Sequence, residues 1–258
     1  MTFRSFATER GTKAVGIIPA RWSSTRFPGK PLHLIHGKAL LRRVWERCKA
    51  AKNLDSLIIA TDDMRIAEAA FNWGAEVALT STSHTSGTDR IAEVAHKAKQ
   101  FAFIVNIQGD EPLIEPRLIN KLIDKLRSDH AIQIVTAAHP FEYPEDALSP
   151  HQVKVVVDHA GNALYFSRTP IPFHEKGHSL SLRHQGIYGF RRNALLQFVK
   201  WKPTALERAE SLEQLRALEN GVKVHVLITA KGFPGIDTPA DAKALEQKLA
   251  RAKRKVAR

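Results

Sequence analysis

A polar loop directly after the first apolar segment is the stretch of the chain best suited to bind phosphate. Residues 14–18 are apolar, few in number and rich in β-branched side chains, which predicts a buried strand that Pro19 ends. Residues 20–30 then carry two arginines, two serines, a threonine, a glycine and a lysine. Their backbone N–H groups, hydroxyls and cations can converge on one polyanion. The loop matches neither a Walker A nor a G-x-G-x-x-G pattern, and a solvated basic loop is the alternative interpretation.

Two carboxylates lie where a divalent cation could be held against phosphate oxygens. Asp110 stands in Q-G-D-E-P at residues 108–112, directly after an apolar strand, and Asp237 stands in G-I-D-T-P at residues 235–239. Magnesium typically takes one or two carboxylates together with phosphates and water. A capping turn for Asp110 and a simple helix start for Asp237 are the alternatives.

A third polar loop has the sequence S-G-T-D-R at residues 86–90. Gly87 permits a close approach of the backbone to a ligand, because it lacks a Cβ atom. The alternative is that Ser86 or Thr88 caps the helix that follows.

The elements that must position these loops alternate between strand and helix in the first half of the chain. The pattern predicts strands at residues 14–18, 57–60, 76–79 and 103–108 and helices at residues 39–52, after 61–63 to about 74, after 90 to about 100, and 116–127. This alternation is typical of an α/β fold with a mostly parallel sheet flanked by helices. Because ligands bind beyond the carboxyl ends of such strands, the three loops are expected at one edge of the sheet.

The second half of the chain has a different rhythm. It predicts strands at residues 132–138, 186–190 and 222–228, a hairpin of 153–157 with 163–167, a loop at 168–185 and a long helix at 204–220. The final helix is expected to have Thr238 as its N-cap and Pro239 at its first position. We expect one domain over residues 14–247, with an inserted β-containing lobe at about 140–202 over one edge of the site. Residues 1–13 form an N-terminal extension and 248–258 a basic tail.

Composition limits the classes of function. The 258 residues are 43% hydrophobic, which suits one large α/β domain. The one cysteine, Cys48, allows no disulfide within the chain, which is consistent with a reducing compartment. Residues 1–13 lack the apolar core of a secretory signal, and no apolar run approaches the roughly 20 residues that a membrane helix needs. We therefore expect a cytoplasmic protein without membrane insertion.

The net charge of +13 raises the possibility of a basic RNA-binding module. Six of these positive charges lie in the last eleven residues, 248–258, which resemble a solvated helix end. RNA recognition would require aromatic stacking platforms, whereas aromatic residues make up only 7% of the chain and do not cluster near this tail. We expect no stable nucleic-acid partner.

The motifs together resemble those of the sugar-acid cytidylyltransferases, and most closely the CMP-Kdo synthetases, where Kdo is 3-deoxy-D-manno-octulosonate. The similar stretches are P-A-R-x-x-S-T-R-x-P-G-K-P-L at 19–32, S-G-T-D-R at 86–90, V-N-I-Q-G-D-E-P at 105–112 and G-I-D-T-P at 235–239. The resemblance runs in family order over residues 13–244. It implies a Rossmann-like sheet of the nucleotide-diphospho-sugar transferase type. It also implies a homodimer that makes CMP-Kdo and pyrophosphate from CTP and Kdo for lipopolysaccharide synthesis in a bacterial cytoplasm.

The resemblance also implies a role for each matching residue. The implied catalytic residues are Arg21, Lys30, Asp110 and Asp237, the last two as ligands of Mg²⁺. The implied CTP ligands are Arg21, Ser24, Lys30, Ser86, Gly87, Thr88 and Gln108. The implied sugar-acid ligands are Arg168, His184, Tyr188, Glu213 and Gln214. An arginine such as Arg168 suits a carboxylate by bidentate pairing.

Two alternatives stay open beside this interpretation. An exposed helix face is the other explanation for Glu213 and Gln214. The same reaction on 8-amino-Kdo or a sialic acid is the nearest other function, although CMP-sialate synthetases typically have G-G-S-K where this chain has S-S-T-R at residues 23–26.

Overall fold

The computed structural model describes residues 11–23, 27–173, 175 and 181–256, with side chains up to Arg251. Its strands are β1 (Ala14–Ala20), β2 (Leu34–Ile35), β3 (Lys38–Ala39), β4 (Ser56–Thr61), β5 (Glu76–Leu79), β6 (Phe103–Asn106), β7 (Ile134–Pro140), β8 (Lys154–Val157), β9 (Ala163–Ser167), β10 (Leu182–Arg191) and β11 (Val224–Ile228). Its helices are α1 (Leu40–Cys48), α2 (Met64–Asn72), α3 (Gly87–Lys97), α4 (Pro116–Ser128), α5 (Arg192–Phe198), α6 (Ala205–Glu210), α7 (Leu215–Glu219) and α8 (Pro239–Val256).

The described residues fall into two compact units. The N-terminal unit comprises residues 15–94, 107–120 and 233–256, and the central unit comprises residues 11–14, 95–106 and 121–232. The sequence-based expectation of one domain with an inserted lobe at residues 140–202 stays a prediction. The β8–β9 hairpin lies within that predicted lobe, inside the central unit.

The N-terminal unit has parallel pairing of β1 with β4 and of β4 with β5, joined by the crossover helices α1 and α2. The side chains of β1 are buried and apolar, as expected of a strand covered on both faces. A Cβ atom at Gly16 would lie 2.9 Å from Cδ1 of Leu57, so a larger residue here would require the surrounding side chains to shift. The predicted mixed α/β fold with a mostly parallel, helix-flanked sheet is confirmed.

The central unit is organised by the long strand β10, which runs antiparallel between β6 and β7. Strand β11 continues the sheet beyond β7 in parallel, and the β8–β9 hairpin joins it through the pairing of β8 with β10. A β-bulge interrupts the pairing of β10 with β7 between Gln185 and Tyr188. Such a bulge redirects the side chains near it, and both flanking segments contain predicted site residues.

Several sequence-based predictions of secondary structure were wrong, among them the loop at residues 86–90, because α3 already begins at Gly87. Strand β1 continues through Pro19 to Ala20, because Pro19 lies near the strand end, where few ladder bonds remain to be broken. Helix α5 was missed, since it has only seven residues and no side-chain cap. The loop predicted to extend to Gln185 ends earlier, where β10 begins at Leu182.

The single helix predicted at residues 204–220 is two helices, α6 and α7, separated at Ser211, which adopts a left-handed conformation with φ of 52°. A buried ion pair explains the break. Glu207 accepts a hydrogen bond from Nε of Arg216 at 2.8 Å. Residues nine apart on a continuous helix lie on opposite faces, so this pair requires the chain to fold back between them.

Across the described part of the chain, no helix is both long enough and apolar enough to cross a lipid bilayer.

Candidate active site

Three predicted ligand loops meet at the carboxyl end of β1, within the N-terminal unit. Nη1 of Arg21 donates a hydrogen bond to the carbonyl oxygen of Thr85 at 2.9 Å. A Cβ atom at Gly87 would lie 3.3 Å from Cγ of Pro19, and one at Gly109 would lie 3.2 Å from the Pro19 carbonyl oxygen. The two glycines therefore let the other loops pack directly against the start of the first one.

Lys30 lies between the two predicted metal ligands. Its Nζ is 2.6 Å from Oδ2 of Asp110 and 3.6 Å from Oδ1 of Asp237. Gly29, with φ of 69°, begins the single 3₁₀ turn that carries Lys30, and its amide donates to the Trp22 carbonyl oxygen at 3.2 Å. The sequence spacing gave no indication that this lysine would join the two carboxylates.

Asp237 lies beside Lys30 because α8 and the residue before Asp237 pack against residues 27–40. Ile236 is buried in an apolar cluster with Phe27, Ile35, Leu40, Ala242 and Leu245. The amide of Ile236 donates to the Asp110 carbonyl oxygen at 2.9 Å, which ties the two carboxylate-bearing segments together. Thr238 and Asp241 exchange hydrogen bonds as a capping box, which confirms the predicted N-cap and orients the turn.

The two carboxylates fit a magnesium ion that arrives with phosphate. Among the described residues, no group of three or more His, Cys, Asp or Glu side chains forms a ready-made metal cage. Asp110 and Asp237 instead offer oxygen ligands that already face one cation, the Lys30 ammonium. This donor set matches the one or two carboxylates that Mg²⁺ uses when phosphates supply further oxygens.

The remaining predicted CTP ligands have local structural roles in this structure. The Ser86 hydroxyl accepts from the Asp89 amide at 3.1 Å and donates to Oδ2 of Asp89 at 2.9 Å, so Ser86 caps α3. Thr88 is buried in the first turn of α3, and the carbonyl oxygen of Gln108 accepts from the Glu111 amide at 3.4 Å. Their contacts with CTP stay predictions. Ser24 lies outside the described residues.

His184 and Tyr188 lie on β10 in the central unit. Nε2 of His184 is 3.0 Å from the Thr136 hydroxyl, and its ring contacts Phe166 and Tyr188 with centroids 5.0 and 5.4 Å apart. Burial lowers the pKa of His184 to about 3, so its imidazole is neutral at physiological pH. Burial, reinforced by the negative charge of Glu213, raises the pKa of the Tyr188 hydroxyl. The nearby Thr136 side chain opposes this rise, although the buried Tyr188 hydroxyl makes no hydrogen bond of normal geometry with any described residue.

Gln214 lies in the break between α6 and α7 and is 9% exposed, so it is not on an exposed helix face. Its buried Nε2 atom has no hydrogen-bond partner in the part of the chain that the structure describes. Glu213 precedes it and acts electrostatically on Tyr188. Buried polar atoms without partners are uncommon and costly. Two of the predicted sugar ligands, Tyr188 and Gln214, therefore each have a polar atom to which a bound hydroxyl group could form a hydrogen bond.

Arg168 lies at the end of β9 with its guanidinium held by backbone carbonyl oxygens. Nε donates to Glu210 at 2.7 Å, Nη1 to Pro150 at 3.0 Å and Nη2 to Ser211 at 3.2 Å. These three bonds leave two of the five N–H groups without a partner among the described residues. They fix the plane of the guanidinium in advance of any ligand.

The family follows from a comparison with known proteins. Residues 15–224 match the family model described as "Cytidylyltransferase". The chain belongs to the cytidylyltransferase family. It is 47% identical to a 3-deoxy-manno-octulosonate cytidylyltransferase of Fusobacterium nucleatum, over 88% of this chain and 92% of the relative. It is 46% identical to a protein of the same name from Geobacter sulfurreducens, over 90% of this chain and 98% of the relative.

Solved structures of cytidylyltransferases agree with this assignment. A CMP:2-keto-3-deoxy-manno-octonic acid synthetase complexed with CTP superposes with a TM-score of 0.89 at 39% identity, covering 93% of this chain and 99% of the other. The 4-diphosphocytidyl-2C-methyl-D-erythritol synthase of Anaerococcus prevotii superposes with a TM-score of 0.63 at 17% identity, covering 93% of this chain and 99% of the other, which shows the fold alone. The predicted nucleotidyltransferase fold is therefore confirmed.

One residue of a cytidylyltransferase motif has a structural task that sequence reasoning missed. Arg90, the last residue of S-G-T-D-R, is fully buried, and its Nη2 donates to Oδ2 of Asp62 at 2.8 Å. Its other terminal nitrogen bonds the Thr80 hydroxyl. Arg90 thus fixes α3 to the loops that follow β4 and β5, and with α3 the loop of Ser86 and Gly87. In the sequence, this role of Arg90 is indicated only by a charged residue at the end of the S-G-T-D-R motif.

Proposed function

We propose that this enzyme transfers CMP from CTP to Kdo and releases pyrophosphate. The arrangement of the Lys30 ammonium between Asp110 and Asp237 carries the proposal, because it matches the needs of a triphosphate bound with a divalent cation. The match spans nearly the whole length of relatives that are named 3-deoxy-manno-octulosonate cytidylyltransferase, and this name supports Kdo as the acceptor.

The reaction joins an anomeric hydroxyl oxygen to the α-phosphorus of CTP. The bond from that phosphorus to the bridging oxygen of the β-phosphate breaks in line, pyrophosphate leaves with the electron pair, and the hydroxyl proton passes to solvent water. Such a transfer depends on positioning and charge neutralisation rather than on covalent help from the protein. Arg21, Lys30 and Ser24 are proposed to bind the triphosphate, and Lys30 neutralises the charge that grows on pyrophosphate.

Asp110 and Asp237 would hold Mg²⁺ together with phosphate oxygens. When bound, such an ion neutralises phosphate charge and lowers the pKa of a coordinated hydroxyl. Arrival of the triphosphate gives Lys30 an alternative anionic partner, which releases the two carboxylates from their ion pairs with it.

The acceptor is proposed to bind through the central unit. Arg168 would pair with the sugar carboxylate through its two remaining N–H groups. Tyr188 and Gln214 have buried polar atoms that sugar hydroxyls would satisfy, with His184 and Glu213 beside them. An acceptor with one carboxylate and many hydroxyl groups fits this set of residues.

The decisive experiment is a pyrophosphate-release assay with CTP, Mg²⁺ and a panel of sugar acids. We expect Kdo to give the highest kcat/KM and no release without an acceptor. The nearest alternative predicts that 8-amino-Kdo or a sialic acid is preferred instead. No release with any sugar acid would contradict the proposal.

We further propose that the enzyme is a homodimer whose interface includes β9. Among the described strands, β9 pairs along its length with β8 alone, apart from an isolated bridge of Asn162 to β11 at its start, and Leu164 on this strand is 62% exposed. Tyr143, Leu148 and Phe173 of the same unit are also exposed. Covering an open strand edge and exposed apolar side chains with a second copy would stabilise both. Analytical ultracentrifugation should find a dimer, and Leu164→Asp should shift it toward monomer.

A cytoplasmic location and a role in lipopolysaccharide synthesis complete the proposal, supported by the motif resemblance. Depleting the enzyme in its host should lower the Kdo content of the lipopolysaccharide. An unchanged content would contradict this role.

A further inference from the structure

A buried lysine that the proposed reaction does not use lies beside Arg168. Lys154, on β8, has no solvent exposure. Its Nζ donates to the carbonyl oxygen of Ser149 at 3.0 Å and to the carbonyl oxygen of Arg168. Burial lowers the pKa of Lys154, and the positive charge of Arg168 lowers it further, whereas Glu210 raises it. A buried ammonium bonded to neutral carbonyl oxygens is costly, so its presence requires a reason.

Glu210 binds the backbone amide of Arg168, whereas Lys154 binds its carbonyl oxygen. One carboxylate oxygen accepts from the Ser167 hydroxyl at 2.7 Å, and the other accepts from the Arg168 amide at 2.8 Å. The amide, carbonyl and guanidinium of Arg168 are therefore all bonded, the carbonyl by Lys154 and the amide by Glu210. Few conformations of Arg168 satisfy all of these contacts at once.

The charges of the cluster favour an anion. Arg168 and Lys154 are cationic and Glu210 is anionic, so the three side chains leave one net positive charge beside the two remaining guanidinium N–H groups. Lys154 is too deeply buried to meet a ligand itself. Lys154 can therefore affect ligand binding only through Arg168, whose carbonyl oxygen it binds.

We propose that Lys154 and Glu210 are positioning residues that preorganise Arg168 for the carboxylate of the acceptor. This inference rests on the proposed role of Arg168 in acceptor binding. Preorganisation removes the ordering cost that a free arginine side chain would incur on binding the sugar acid. The clamp acts on acceptor binding and leaves the triphosphate site unchanged.

Lys154→Met tests the inference, since methionine fills a similar volume without a charge or a donor. We expect about a tenfold rise in KM for the sugar acid, with kcat and the Kd for CTP within twofold of the parent enzyme. Lys200→Met, at an exposed lysine of the same unit, is the matched control and should change none of these values. An unchanged KM in folded Lys154→Met would overturn the inference.

A double-mutant cycle separates positioning from a general structural effect. If Lys154 acts through Arg168, adding Lys154→Met to Arg168→Ala should raise KM no further. Additive effects would contradict the inference. Glu210→Gln is measured in the same cycle, and it decides the question if Lys154→Met does not fold. If Arg168→Ala leaves KM unchanged, the assigned role of Arg168 is wrong and the inference falls with it, whereas turnover of Kdo by the parent enzyme tests the reaction independently.

Discussion

The predicted ligand residues form two halves, one in each unit, that are built on opposite principles. In the N-terminal unit, Lys30, Asp110 and Asp237 satisfy one another's charges, and the Asp237 side chain is 52% exposed. In the central unit, the Tyr188 hydroxyl and the Gln214 amide nitrogen are uncharged and buried, and neither has a hydrogen-bond partner among the described residues. We propose that one region exchanges internal ion pairs for ligand charges, whereas the other supplies hydrogen bonds that the folded chain leaves unmade.

This difference fits the two ligands that the proposed reaction requires. A triphosphate with a metal is a compact, strongly charged group, and charges near solvent can rearrange around it at low cost. A sugar acid presents many hydroxyl groups and one carboxylate, and buried neutral groups discriminate well among hydroxyl patterns because a wrong acceptor leaves them unpaired. The predictions below probe each half separately.

The largest effect is expected from Asp110→Asn, which removes a carboxylate from the charged half. We expect kcat/KM to fall by at least two orders of magnitude, roughly the scale for losing one electrostatic group in such a site. Steady-state kinetics at saturating Mg²⁺ checks it, with Asp124→Asn, an exposed aspartate of α4, as the matched control. Near-normal turnover by a folded Asp110→Asn enzyme would rule out the metal assignment.

The next effect is expected from Arg168→Ala in the central unit. Loss of a charge-assisted contact should raise KM for the sugar acid roughly ten- to a hundredfold. The measurement is the dependence of pyrophosphate release on sugar-acid concentration at saturating CTP. An unchanged KM would show that another residue binds the acceptor carboxylate.

A smaller effect concerns stability and comes from the neutral His184. Its folded pKa of about 3 lies below the ordinary value of 6.5, so between these values the unfolded chain binds a proton that the folded chain does not. Stability from this group is present above pH 6.5 and is lost as the pH falls toward 3. When the pH is lowered from 7.5 to 5.5, the free energy of unfolding of His184→Gln should fall by about 1.4 kcal/mol less than that of the parent enzyme.

Urea denaturation of both proteins at the two pH values measures that difference. Equal losses would mean that His184 is not held neutral in the folded enzyme.

The smallest effect is expected from deleting residues 251–258. Leu249, which packs against the apolar cluster around Ile236, is retained, so the position of Asp237 is preserved. We expect kcat and both KM values to stay within twofold of the full chain. A large rise in KM for CTP would show that the basic tail contributes to the charged half.

The charged half of the site was largely predictable from the sequence. Polar loops follow buried strands, and the carboxyl ends of parallel strands meet at one edge, so Arg21, Gly87 and Asp110 could be assigned to a common site. The contribution of Ile236 could not be predicted, because the packing of α8 against Phe27 and Leu40 joins residues about 200 positions apart. Local patterns carry no information about such a contact.

The neutral half was less predictable for a different reason. The spacing of apolar residues at 204–220 is compatible with one helix, and only the buried pair of Glu207 with Arg216 explains why the chain breaks there. This break is what buries Gln214. The buried polar atoms of Tyr188 and Gln214 that lack partners among the described residues were likewise not predictable, because residue types alone do not show which side-chain atoms the fold buries.

Calorimetric titration of CTP, with a non-reactive divalent metal, into folded Lys30→Ala and Arg168→Ala enzymes tests the central claim most directly. The separation of a triphosphate site in the N-terminal unit from an acceptor site in the central unit predicts that Lys30→Ala weakens CTP binding roughly ten- to a hundredfold. It also predicts that Arg168→Ala leaves the Kd for CTP within twofold of the parent value. Loss of CTP binding in Arg168→Ala together with normal binding in Lys30→Ala would contradict the account.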